Sequence, residues 1–208
     1  MLLTGTGSEI LEPMLDNALE DARAFCREKH GDSPEMTLRN AMADSAEPAL
    51  LLPSYVTFGL FELLKNAQGA HCRRVGADRL DDLPPIEVSF GVAEGWGHVS
   101  VRDFGGGLRG ADEAEASIRF LYTTNPEREA NYTYSRNFGA PFEGLGVGLP
   151  LAHMHAAFLG GGLQLASMPG EGVRAVLTFD VTGNRSDPLQ RRVEEGEMDP
   201  GDCSTNGE

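Results

Sequence analysis

Cysteine, tryptophan and positive charge are all scarce in this chain of 208 residues. The three cysteines, Cys26, Cys72 and Cys203, form no CxxC pair. An odd number without metal-type spacing argues for reduced thiols in a cytosolic or matrix compartment and against a disulfide frame. Lys and Arg together number 17 against 32 Asp and Glu, a net charge of -15. Such a balance argues against a nucleic-acid backbone or an anionic membrane as the main partner. It leaves room for a small phosphate ligand, because a local patch of amides binds phosphate whatever the global charge. No apolar run approaches the roughly 18 residues needed to span a bilayer. The opening "MLLTGTGSEI" has no positive start, no long apolar stretch and no Arg-rich amphipathic pattern, so neither a secretory signal nor a presequence is expected in it.

What is present is ordinary for a globular domain: 40% hydrophobic and 24% charged residues. "SEILEPMLDNALEDARAFCREKH" reads as a helix capped by Ser8, with Ile10, Met14, Ala18, Ala22 and Phe25 near one face. Short strands are expected around Met36–Leu38 and Leu50–Leu52. From Ser54 a long helix runs until Gly76 closes it. "IEVSFGV" and "WGHVSVRDF" alternate as neighbouring antiparallel strands joined through "AEG". "ADEAEASIRFL" and "VGLPLAHMHAAFLG" are further helices, and "LQLASM" and "VRAVLTFDV" form a second hairpin around "PGEG". The polar stretch from Tyr122 to Glu143 is a long loop, either a lid that orders over a ligand or a surface loop. Beyond about Gly183 the composition is that of a disordered acidic tail. The element order gives an α+β fold, helices layered on one mostly antiparallel sheet. It divides into a lead-in helix over 1–35, a main domain over 36–183 and a tail over 184–208.

Three local patterns carry chemistry. Glu62 and Asn66 lie one turn apart on a helix, opposite the stripe of Val56, Leu60, Leu63, Leu64 and Ala67. They are either a carboxylate and a carboxamide able to hold a hydrated magnesium ion or a solvated face. Asp103 ends a strand just before Gly105–Gly107. It is placed either to accept a hydrogen bond from an exocyclic amine such as adenine's or to cap a glycine turn. Gly144, Gly146 and Gly148 alternate with Leu145 and Val147 and run into a helix near Leu149. That junction is either a cradle of bare N–H groups for phosphate or a hinge. Each pattern is weak alone; their order on a helix, a strand end and a loop–helix junction is more specific.

"ELLKNA", "DFGGG" and "GLGVGLP" resemble the N, G1 and G2 boxes of the GHKL superfamily of ATP-binding domains. The fuller stretches "ELLKNAQGA", "GLGVGLPLAHMHAAFLGG" and "LYTTNP" are similar to those of the mitochondrial pyruvate and branched-chain 2-oxoacid dehydrogenase kinases, and the likeness runs from about Glu9 to Phe179. The resemblance implies a Bergerat-type two-layer sandwich, Mg-ATP as ligand, and phosphoryl transfer to serine on a dehydrogenase subunit in the mitochondrial matrix. By motif position it makes Glu62 the general base, Asn66 the magnesium ligand and Asp103 the reader of the adenine amine. Gly105 and Gly107 follow that aspartate. Thr123 and Thr124 would border the nucleotide, and Gly144 to Leu149 would hold the phosphates. A homodimer formed through the sheet is a further expectation.

The chain also departs from the pattern. Gly69 stands where the family has arginine, Phe104 replaces the arginine of "DRGGG", and Val173 replaces a threonine on the adenine side. The family's amino-terminal helical bundle and its tail Asp–Trp anchor have no counterpart here. These losses set a nucleotide-binding module without transfer beside the kinase as the second reading. A histidine-kinase catalytic domain fits the boxes less well. His153 and His155, at i, i+2, do not share a face and are no metal pair, and His71 and Cys72 are expected as surface or packing residues.

Overall fold

The structure, a computed structural model, describes residues 3–41, 48–109, 111–119, 122 and 146–183. Strand β1 (Leu3–Thr6) leads into helix α1 (Gly7–His30). The cap of α1 is Thr6, two residues earlier than the expected Ser8. Thr6 Oγ1 accepts the Glu9 N–H at 3.4 Å while Glu9 Oε2 accepts the Thr6 N–H at 3.1 Å, a reciprocal capping box. Glu9 reaches back only to the residue three before it, and that spacing selects Thr6. The Thr6 N–H, and then the Thr6 hydroxyl donating to the same Oε2 at 2.8 Å, lower the Glu9 pKa.

Strands β2 (Met36–Asn40) and β3 (Pro48–Leu51) precede helix α2 (Pro53–Val75). Pro53 opens α2, where a missing N–H costs nothing, and Gly76 closes it at φ 84°. A 3-10 turn over Ala77–Asp82 leads to β4 (Ile86–Ala93) and β5 (Trp96–Arg102). These two pair antiparallel about Glu94 and Gly95, both at positive φ, the mirror-image turn that suits a twisted hairpin. Helix α3 (Ala111–Ser117) is short. Helix α4 (Gly148–Phe158) and the hairpin of β6 (Gly162–Met168) and β7 (Gly172–Asp180) complete the order.

Five strands form the main sheet in the order β2-β4-β5-β7-β6, and β1 and β3 form a separate antiparallel pair. The β2–β4 pairing is parallel and the other pairings of the main sheet are antiparallel. Alternate residues Ile86, Val88, Phe90 and Val92 of β4 are buried, as are Val99 and Val101 of β5 and Ala175, Leu177 and Phe179 of β7. Helices α1, α2 and α4 cover that face; α1 lies against β4, α2 against β5 and β7, and α4 against β7 and β6. The result is the two-layer α+β sandwich expected from the element order.

Ile10, Leu11, Leu15, Ala18, Leu19 and Ala22 of α1 belong to the same core as Leu60, Leu63 and Leu64 of α2 and the strand residues. Helix α1 is thus a wall of the sandwich. No helix among the described residues is long and apolar enough to cross a membrane.

Candidate nucleotide site

Helix α2 works as a ruler along one side of the site. Glu62, Asn66 and Ala70 recur every fourth residue, so they form one stripe spanning about 12 Å at 1.5 Å per residue. At one end α4 begins: a methyl group added at Gly148 would lie 2.0 Å from Glu62 Oε2. At the other end lies the turn after β5, where a methyl group at Gly105 would lie 2.3 Å from the Ala70 Cβ. At Gly105 only glycine permits the approach, because it meets the Ala70 Cβ and backbone; at Gly148 a side chain would have to displace the Glu62 carboxylate. Asn66 sits midway and is exposed.

Glu62 is buried at 8% exposure, which corrects the solvated-face alternative for this residue. A residue directed away from the apolar stripe of its own helix is covered here by a second helix. Its Oε1 accepts a 2.6 Å charge-assisted bond from Lys65 Nζ. Oε2 faces the first turn of α4, where negative charge is favoured by the helix dipole.

Asp103 follows the last residue of β5 and is buried at 7% exposure. Its backbone N–H bonds to the Val173 carbonyl at 2.9 Å, and its Oδ1 accepts the N–H groups of Gly105 at 2.8 Å and Val173 at 3.4 Å. Among the described residues both side-chain bonds fall on Oδ1 and none on Oδ2. Burial raises the Asp103 pKa, opposed by those two N–H groups and by the Arg73 charge. The Asx-capped turn of the sequence reading is therefore present, and among the described residues it leaves one carboxylate oxygen uncommitted.

The loop that carries Asp103 is held from two sides. His71, fully buried on α2, accepts the Phe104 N–H on Nε2 at 2.9 Å. Arg74 donates to the carbonyls of Phe104, Glu171 and Gly170. Gly106 donates to Glu171, and Gly170 donates back to Gly106, which stitches the loop to the β6–β7 turn. Gly107, at φ 74°, lies against the Met168 carbonyl, and Leu108 donates to Ser167 Oγ at 2.7 Å. His71 was expected only at the surface or in packing. Its tie to a loop 33 residues away has no local signature.

Helix α4 starts with Val147 as its cap residue and no side-chain cap bond. Pro150 lacks an N–H, and Gly148 and Leu149 occupy the first two helical positions, whose N–H groups have no intrahelical acceptor. Gly146, at φ 68°, lies against the Tyr122 backbone. Thr123, Thr124, Gly144 and Leu145 lie outside the described residues, as do the rest of the loop from Thr123 to Glu143 and the tail over 184–208.

Two departures have physical counterparts. The space above Gly69 is taken by Arg73 one turn on: a methyl group at Gly69 would lie 3.1 Å from Arg73 Nη1. Phe104 is covered by the Arg102 guanidinium, 4.8 Å from the ring centroid. His153 Nδ1 accepts the Leu163 N–H at 3.2 Å, while His155 stacks on Tyr55 at 4.4 Å between ring centroids. The two histidines are engaged separately. Among the described residues no group of three or more His, Cys, Asp and Glu side chains could hold a metal ion.

A helix layer on a mixed sheet, with an aspartate at a strand end and a bare helix start facing one stripe of a second helix, defines a GHKL-type sandwich. No family model matches the chain. It is 33% identical over 178 residues to a mitochondrial pyruvate dehydrogenase (acetyl-transferring) kinase of Arabidopsis thaliana, which covers 83% of this chain and 46% of the relative. Identity to a probable pyruvate dehydrogenase kinase of Caenorhabditis elegans is 34% over 172 residues, covering 80% and 40%. To isozyme 3 of the human pyruvate dehydrogenase kinases it is 29% over 178 residues, covering 83% and 42%. The chain is a homologue of mitochondrial pyruvate dehydrogenase kinases. It spans less than half the length of these curated relatives.

Proposed function

We propose that this chain is the Mg-ATP-binding part of a protein serine/threonine kinase of the pyruvate/branched-chain 2-oxoacid dehydrogenase kinase type, acting in the mitochondrial matrix on a dehydrogenase subunit. The observation that carries the reading is Asp103: a buried carboxylate at a strand end with Oδ1 occupied by backbone donors and Oδ2 taken by none of the described residues. An exocyclic amine supplies the N–H that Oδ2 lacks. Gly105 and Gly107 give the turn its close packing and its positive φ, with Gly105 set on Ala70. Thr123 and Thr124 would border the base by resemblance.

The phosphates belong at the other end of the stripe. Gly146, Val147, Gly148 and Leu149 precede or open α4 without a side-chain cap, and Gly144 and Leu145 extend that run in sequence. Asn66, exposed between the two ends, offers one hard oxygen to magnesium. A single amide suffices, because magnesium keeps waters and takes its remaining ligands from phosphates. The bound ion would neutralise charge on the transferred group. Glu62 would orient and deprotonate the acceptor hydroxyl from its place beside the α4 start.

A calorimetric titration with Mg-ATP tests the nucleotide part. Wild type is expected to bind in the micromolar range, as a working estimate for a nucleotide site of this kind. Asp103→Ala is expected to lose most of that affinity, and equal binding by the two proteins would end the reading. Transfer of label from ATP to a dehydrogenase-derived serine peptide tests the chemistry. Glu62→Gln should reduce it by about a hundredfold or more.

A second reading is favoured by the engagement of Glu62 itself. Oε1 is paired to Lys65, and the side chain is buried with Oε2 beside Gly148, an arrangement that keeps the carboxylate from acting on a hydroxyl if it persists. In that case the chain holds a nucleotide without transferring phosphate, and acts by protein interaction. Binding without turnover in the same two assays would select it.

A further inference from the structure

Two of the three cysteines meet in space although 46 residues separate them. Cys26 of α1 and Cys72 of α2 place their sulfurs 3.9 Å apart, and both are free thiols. Cys26 is buried at 2% exposure, while Cys72 is half-buried and reachable from solvent. Closing that distance to a bond of about 2.05 Å takes rotation of the two side chains and an approach of the helices.

The environment sorts the two thiols. The contact with Cys26, and then the Arg73 charge, favour the thiolate at Cys72, against burial. The same contact, together with burial, pushes the Cys26 thiol up. Cys72, the thiol that solvent reaches, is thus the nucleophile, and buried Cys26 the partner that resolves it.

Cys72 also sits among the residues that hold the Asp103 loop. His71 accepts the Phe104 N–H, a methyl group at Gly69 would meet Arg73, and Arg74 donates to three carbonyls of the loop and its neighbouring turn. Anything that draws Cys72 toward α1 pulls on the segment that positions Asp103.

We propose that Cys26 and Cys72 form a reversible disulfide on exposure to a hydroperoxide, and that this bond weakens nucleotide binding by shifting the end of α2 away from the Asp103 loop. The second half rests on the nucleotide reading above; the first half does not. In the first step the Cys72 thiolate attacks the outer peroxide oxygen, the O–O bond breaks, and the alkoxide or hydroxide leaves with a proton from solvent. In the second, Cys26 sulfur attacks the Cys72 sulfenic acid. The S–S bond forms, the S–O bond breaks, and hydroxide takes the Cys26 proton to leave as water. The two thiols lose one electron pair and the peroxide gains it.

The test uses the full chain carrying Cys203→Ser, so that only the two thiols in question remain. After hydrogen peroxide, N-ethylmaleimide and trypsin, the expected product joins the tryptic peptides Ala24–Arg27 and Asn66–Arg73, and dithiothreitol separates them again. Finding these peptides only unlinked, whether alkylated or with Cys72 over-oxidised, overturns the proposal. Mg-ATP affinity is expected to be about five- to tenfold weaker in the oxidised than in the reduced protein. Cys72→Ser should remove that difference. Equal affinity in the linked and reduced forms overturns the regulatory half. If even the reduced protein fails to bind ATP, the nucleotide reading falls. The coupling is then judged by amide hydrogen exchange at Phe104, which should speed up on oxidation, and unchanged exchange overturns it.

Discussion

At the scale of single residues, Asp103 and His71 set function against stability in opposite ways. The Asp103 pKa is raised by burial, so the carboxylate costs stability once ionised. Its folded-state pKa lies above the unfolded value. The stability it contributes is complete below the unfolded pKa near 3.8 and is lost as pH rises through the folded one. Asp103→Asn keeps an Oδ1 acceptor for Gly105 and Val173 but replaces Oδ2 by an NH2 group. At neutral pH this variant is expected to melt at or above the wild-type temperature by calorimetry, while Mg-ATP affinity falls about ten- to a hundredfold. His71 behaves the other way. Burial first, then Arg74, lowers its pKa from 6.5 to about 4. A lowered imidazole pKa means stability that is full above the unfolded value and lost as pH falls from about 6.5 toward 4, on the order of 2–3 kcal/mol. Melting temperature followed across that window should therefore drop more steeply in wild type than in His71→Gln, which has no titrating group. Parallel curves would show that His71 does not titrate as its burial implies.

At the scale of elements, local chemistry decides most of what can be read in advance, and tertiary contacts decide the rest. The α2 helix, the β4–β5 hairpin and the β6–β7 hairpin follow from apolar spacing and turn glycines. The three boxes are legible only as likenesses, each weak alone, and Gly144 and Leu145 of the third lie outside the described residues. The cap of α1 was two residues off because Thr6 and Ser8 are both competent hydroxyls; Glu9 three residues after Thr6 was the readable signal that separates them. Thr6→Ala removes the acceptor for the Glu9 N–H and should cost about 1 kcal/mol in a urea titration, with no change in slope. What could not be read was contact across the layers. Glu62 is buried only because α4 arrives on it, and Cys72 meets Cys26 only because α1 packs along α2. Strand β3 overlaps the strand expected around Leu50–Leu52, but β1 and its pairing with β3 do not announce themselves, since β1 has 4 residues and no long alternation to detect.

At the scale of the whole molecule, the open question is where the folding unit begins. The sequence suggests a lead-in helix over 1–35 ahead of a main domain. In the structure, Ile10, Leu11, Leu15 and Leu19 of α1 are buried in the core that α2 and the sheet complete. At about 2 kcal/mol for each large aliphatic side chain, those four contribute on the order of 8 kcal/mol. A whole domain is stable by only about 5–15 kcal/mol, so the loss of α1 is comparable with everything that holds the fold together. A chain beginning at Asp32 is accordingly expected to lack a cooperative melting transition and to show fast amide exchange in β4, against which α1 packs. The full chain should melt cooperatively and shift upward in saturating Mg-ATP. If the truncated chain melted cooperatively and bound Mg-ATP as tightly as the full one, α1 would be an appendage and the sandwich would close without it.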